Sequence, residues 1–144
     1  VTLTIQTVGQ QVNLVYQDLD GDCPEPPQVS VSGSLQANAT YTGTVQLLNE
    51  TVSPSEDITE EVQEEAEEHQ FFYVPTGAIS GVTYTDQDSN GNPIGITFEL
   101  TTGAADRSTL AVTLRHEPKK PNDGTLADAG GETDITQTFN ITVQ

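Results

Sequence analysis

Apolar residues recur at every second position in nine short stretches of the chain. "TLTIQTV" places Leu3 and Ile5 on one face, and "VNLVY" does the same for Val12, Leu14 and Tyr16. "QVSVSG" offers Val29 and Val31; "YTGTVQLL" offers Tyr41, Val45 and Leu47. "QFFYV" offers Phe71 and Tyr73, or Phe72 and Val74, and "GVTYT" offers Val82 and Tyr84. "IGITFEL", "TLAVTL" and "TFNITV" complete the set, with Phe98 and Leu100, Val112 and Leu114, Phe139 and Ile141 on their apolar faces. A period of two is the mark of a strand with one buried face. Turn residues separate the stretches: Gly9-Gln10, Asp20-Gly21, Asn90-Gly91 and Gly103-Ala104. "YTDQDSNGNPIGITF" reads as a long hairpin. Many short strands with polar turns predict an all-β fold, an antiparallel immunoglobulin-like β-sandwich of about seven to nine strands. The length of 144 residues suits a single domain over 1–144.

Two segments break the alternation. "SPSEDITEEVQEEAEEH" opens with a capping serine and a proline, and Glu56 stands three residues after the cap. Asp57-Ile58-Thr59-Glu60 offers a second start. Ile58, Val62 and Ala66 follow at i, i+4, i+8, so the pattern predicts one short acidic helix over about 54–68 with a narrow apolar stripe. Its other faces are nearly all glutamate. Like charges at Glu60/Glu64, Glu61/Glu65 and Glu64/Glu68 each cost a little, as do anions near the helix C-terminus. Such a helix is either docked firmly or neutralised by something positive. The second segment, "HEPKKPNDGTLADAGGETDI" at 116–135, is rich in proline and glycine and predicts a long loop before the last strand.

Charge narrows the possible partners. The chain carries 22 acidic and 4 basic residues, a formal net charge of −18. That balance excludes nucleic-acid phosphates and anionic membrane surfaces as natural partners, and suits a cation or a basic surface. All four basic residues, Arg107, Arg115, Lys119 and Lys120, fall in one stretch that could lie against the acidic helix. Cys23 is the single cysteine, so an intramolecular disulfide is impossible. No apolar run approaches the ~20 residues of a membrane-spanning helix.

Three constellations could hold a cation. "DLDGD" sets Asp18, Asp20 and Asp22 at alternating positions, and "DQDSNG" does so with Asp86, Asp88 and Asn90. Calcium loops space their first oxygen ligands this way. Val29 and Thr97 stand where a calcium-binding helical loop would carry its bidentate glutamate, so these are acidic turns of another kind. The third constellation is the histidine pair. His69 follows Glu67-Glu68, and His116 precedes Glu117. If the fold brings them together, two imidazoles with Glu65 or Glu68 would suit zinc or copper. No serine nucleophile motif, phosphate loop or tryptophan-lined cleft is present, and no organic cofactor motif, so the chain reads as a non-enzyme.

Taken together, "DLDGD", "LLNETVSPSEDITEEVQEEAEEHQFFY", "DQDSNGNPIGITFEL" and "TLRHEPKKPNDGTLADAGGETDI" resemble a group of small envelope lipoproteins of Bacteroidota, often labelled "type 1 periplasmic binding fold superfamily protein". The resemblance covers nearly the whole chain, and 116–135 is its most specific part. It implies an exported protein of the periplasm or outer-membrane surface, a lipid anchor on a segment preceding Val1, and work beside an outer-membrane transporter. His69 and His116 both lie in the matching stretches. The label would imply a two-lobed fold, which needs alternating strands and helices over roughly twice this length. The strand pattern predicts a sandwich instead.

Overall fold

The computed structural model describes residues 1–18 and 26–144. The chain is mostly strand, with antiparallel sheets and little helix. Among the described residues, eleven strands form: β1 (Thr2–Thr7), β2 (Gln10–Gln17), β3 (Gln28–Val31), β4 (Thr40–Gln46), β5 (Leu48–Asn49), β6 (Glu56–Asp57), β7 (His69–Gly77), β8 (Ile79–Tyr84), β9 (Thr97–Thr102), β10 (Asp106–His116) and β11 (Glu132–Val143). Each of the nine alternating stretches contributes one, and β5 and β6 are a two-residue ladder of their own. One sheet runs β3-β2-β1-β4-β9-β8, and the second β11-β10-β7.

The alternation explains which residues face inward. Leu3, Ile5, Val12, Leu14, Tyr41 and Leu100 of the first sheet are fully or almost fully buried. So are Phe71, Leu110, Leu114 and Phe139 of the second, and all join one core. The two sheets enclose that core as an antiparallel β-sandwich. Burying one such aromatic or aliphatic side chain contributes about 1.5–3 kcal/mol. Close approach is enforced at Gly43, which pairs with Phe98 across β4 and β9. The Phe98 ring occupies the space a Cβ at Gly43 would need.

The helix is shorter than the sequence pattern predicts. Helix α1 spans Ile58–Glu64, followed by a 3-10 turn over Ala66–Glu68. It starts at the second of the two candidate caps. Asp57 accepts from Thr59 N at 2.9 Å. Glu56 and Asp57 are instead extended, paired with Asn49 and Leu48, and that ladder leaves Ser53-Pro54 outside the helix. Val62 is buried, with Ile58 and Ala66 packed half-buried against the core, so the apolar stripe docks as its spacing requires.

The 116–135 stretch is also more ordered than a loop. Strand β10 extends to His116, β11 begins at Glu132, and a one-turn helix α2 (Leu126–Ala129) lies between. Thr125 caps α2 by accepting from Asp128 N.

Candidate metal centre

Strand register brings the histidines together. In the antiparallel pairing of β7 with β10, His69 stands directly opposite His116, two residues beyond the Phe71–Leu114 pair. Residues two apart on a strand share a face. Both imidazoles therefore lie on the core face, on the last rung of the ladder. His69 Nε2 and His116 Nδ1 are 2.9 Å apart, and the rings meet edge to face at 61°. His69 is buried and His116 half-buried.

A third candidate ligand comes from a β-bulge. Along β10 and β11, Leu114 pairs with Ile135 and Arg115 with Thr133, so Asp134 is an extra residue without a partner across the ladder. By simple alternation, Asp134 would point away from the face that Ile135 shares with Leu114. A bulge re-aims side chains, and the Asp134 carboxylate comes within 3.9 Å of His69 Nε2. His69, His116 and Asp134 thus offer three ligand atoms within 4.8 Å of one another. A second grouping of the same kind, Glu68, His116 and Glu117, shares His116.

Hydrogen bonding orients His69. Its Nδ1 lies 3.2 Å from the Glu65 carbonyl oxygen. A carbonyl only accepts, so Nδ1 carries the proton and Nε2 of the neutral ring presents its lone pair to the His116 Nδ1–H, with the Asp134 carboxylate beside it and not hydrogen-bonded to it. Metal-ligating histidines are held in this way. The Glu65 carboxylate, 3.8 Å from the same Nδ1, stands on the far side of the ring from Nε2. Glu65 thus supports the His69 ring rather than facing the gap between the imidazoles. Glu68 is on the side of His116, and its carbonyl oxygen accepts from Glu117 N at 2.6 Å.

No known protein family, curated protein or solved structure matches this chain. The site is therefore argued from its own chemistry.

Two imidazoles and a carboxylate are the donor set of zinc and copper sites. With Zn–N bonds of 2.0–2.1 Å, tetrahedral ligand nitrogens stand about 3.3 Å apart. The histidine nitrogens need to part by roughly 0.4 Å to admit an ion, and the Asp134 oxygen needs to close by a similar amount. In the metal-free pair, His116 Nδ1 donates to His69 Nε2. An ion between them requires the His116 proton to sit on Nε2 instead, a change of tautomer.

The acidic turns are placed differently. Asp20 and Asp22 lie outside the described residues, and Asp18 stands at their edge. Asp86 accepts from the backbone N–H groups of Gly95 (2.7 Å), Ile96 (2.9 Å) and Thr97 (3.1 Å). Asp88 accepts from Asn90 N and Asn92 N at 2.9 and 3.0 Å through one oxygen. Its other oxygen meets the Lys120 ammonium at 3.1 Å. Burial raises the Asp88 carboxyl, but the Asn92 N–H, the Lys120 ammonium and the Asn90 N–H outweigh it and hold it below the usual carboxylate range. These carboxylate oxygens are engaged in closing the β8–β9 hairpin, and a calcium ion at Asp86, Asp88 and Asn90 would displace those bonds.

The basic stretch meets the acidic helix through Lys120, which donates to the Ala66 carbonyl at 2.7 Å, and not through ion pairs with its glutamates. Lys119 pairs with Asp128, Lys120 with Asp88, and Arg115 donates to the carbonyls of Gly130 and Gly131. Among the described residues, no lysine or arginine forms an ion pair with the glutamates of 56–68.

Proposed function

We propose that this chain is a non-enzymatic binding module of the bacterial cell envelope that captures a divalent transition-metal ion, zinc or copper, at His69, His116 and Asp134. The observation that carries the reading is the meeting of two imidazoles from positions 47 residues apart, with nitrogens 2.9 Å from each other. The Glu65 carbonyl that fixes the His69 tautomer supports it. So does the surplus of negative charge, which raises the local concentration of cations. Glu68 and Glu117 flank the site and attract an ion toward it. The resemblance to envelope lipoproteins supports an exported protein that passes its ion to a neighbouring transporter.

Calorimetric titration of the full chain with zinc tests the reading. The expected result is saturable binding at one ion per chain, weakened at least ten-fold in His69→Ala and His116→Ala, against only diffuse binding of magnesium. Asp134→Asn should weaken zinc by roughly ten-fold or more, by analogy with the loss of one hydrogen-bonded or ligating group near a metal. An unchanged zinc titration in the double histidine variant would remove the proposal.

A further inference from the structure

A cleft of about 390 Å³ opens beside the histidine corner, between α1 and the β10–β11 end of the second sheet. Leu47, Leu48, Ile58, Val62, Leu114 and Ile135 form its apolar lining. Val62 and Leu114 are at most 2 % exposed, so the floor belongs to the core itself. Three carboxylates line the same cleft: Glu61 from α1, Glu65 from the cap that ends it, and Asp134 from the bulge. Among the described residues, none has a lysine or arginine ion-pair partner; Glu65 lies beside His69, and Asp134 beside His69 and His116. No lysine or arginine lines it. The helix positions explain the pairing of chemistries. Glu61 and Glu65 are one turn apart, and Ile58 and Val62 follow the same spacing beside them, so a single helix supplies both the wall and the charge.

Ligand sites combine an apolar cavity of this size with a few converging polar groups. An apolar floor beneath unneutralised carboxylates complements a ligand with a hydrocarbon body and a positive end. It rejects a fatty acid, whose carboxylate would meet Glu61 and Glu65. We propose that this cleft binds a primary alkylammonium group, with the hydrocarbon chain against the accessible side chains of Leu48, Ile58 and Ile135 and the ammonium among Glu61, Glu65 and Asp134. Two sources carry that chemistry, a free amine and the side chain of a lysine on a partner protein. The inference goes beyond metal capture: it shares His69 and Asp134 with that site but requires no ion.

The test is a titration of the full chain followed by amide ¹H–¹⁵N correlation spectra in excess EDTA. The probes are n-hexylammonium, methylammonium, hexanoate and a short end-blocked peptide with one lysine. Saturable shifts are expected from hexylammonium at residues 47–49, 58–65 and 134–135. Methylammonium and hexanoate should bind at least ten-fold more weakly. In the Glu61→Gln/Glu65→Gln double variant, whose changes are both on exposed positions, hexylammonium should bind roughly five- to ten-fold more weakly. Tighter binding of the peptide than of hexylammonium assigns the site to a protein partner, and the reverse assigns it to a free amine; either supports the proposal. Hexanoate or methylammonium binding as well as hexylammonium overturns it, as does an unchanged double variant or no saturable shift up to about 10 mM. Because metal is absent throughout, failure here leaves the zinc titration untouched, and failure of zinc binding leaves this result untouched.

Discussion

Replacing Lys120 with methionine tests how the irregular half of the molecule is held. The Lys120 ammonium has three N–H donors, and the structure gives each an acceptor: Ala66 O at 2.7 Å, Pro93 O at 3.1 Å and Asp88 Oδ2 at 3.1 Å. Three separate segments thus converge on one nitrogen: the 3-10 turn after α1, the β8–β9 hairpin and the stretch after β10. The side chains of Lys120 and Asp88 are 6 % and 0 % exposed, so water does not compete for the pair. Methionine fills the space of the lysine stem but strands two carbonyls and one carboxylate oxygen. Removing one partner of a buried pair costs about 3–5 kcal/mol. For a chain of this size that lowers Tm by roughly 10–15 °C. Urea unfolding of Lys120→Met, Asp88→Asn and the double variant measures the coupling, expected at about 2 kcal/mol or more because the double variant buries no uncompensated charge. A Lys120→Met cost under about 1 kcal/mol, or a purely additive cycle, would refute the argument.

The same pair fixes a pH dependence. The Asp88 carboxyl is held low in the folded chain, so its contribution is fully present above the unfolded value of about 3.9 and is lost as pH falls through the lower folded value. Urea midpoints should therefore fall steeply below about pH 4, and less steeply in Lys120→Met, where one of the lowering groups is gone. Gly43→Ala should destabilise by about 1–3 kcal/mol because the added methyl meets the Phe98 ring; a melt within 1 °C of the parent would show that the ring gives way freely. Raising sodium chloride from low to physiological strength should raise Tm, since a net charge of −18 repels itself until screened; a flat salt series would contradict that. Zinc binding should weaken as the solution is acidified, because binding requires unprotonated imidazole nitrogens.

Where alternation decides structure, the sequence was sufficient. Leu3 and Ile5, Val12 and Leu14, Phe98 and Leu100 announce their strands because a half-buried sheet needs a period of two and nothing else competes. The helix entry was harder. Ser53-Pro54-Ser55-Glu56 carries the chemistry of a start, but Glu56 and Asp57 are drawn into a ladder with Leu48 and Asn49, and that pairing is not visible in local propensity. The histidine pair was legible as a candidate and not as a fact, because its adjacency depends on the register of β7 against β10. Phe71 opposite Leu114 sets that register, and the histidines follow two residues on. Asp134 was hidden altogether. Counting back from Phe139 and Ile135 turns it outward, and only the bulge brings it in. Lys120 was legible only as part of a basic stretch that could lie against the acidic helix; its acceptors, 27 to 54 residues away, are the Ala66 carbonyl just past that helix, the Pro93 carbonyl and Asp88.

The position of the histidines on the final rung of the β7–β10 ladder has a consequence for exchange of amide protons with solvent. Ends of strands open at little free-energy cost, while strand centres open only with the whole domain. An ion held between His69 and His116 closes the open end, and it favours the closed form in proportion to its concentration over its Kd. The Glu117 N–H, bonded to Glu68 O, lies just past this rung. Its deuterium uptake should slow with added zinc from the fast, end-fraying regime, whereas Leu110, mid-strand, exchanges only through global opening and slows from a rate already far lower. A single backbone amide then becomes a gauge of occupancy, readable without any label on the metal.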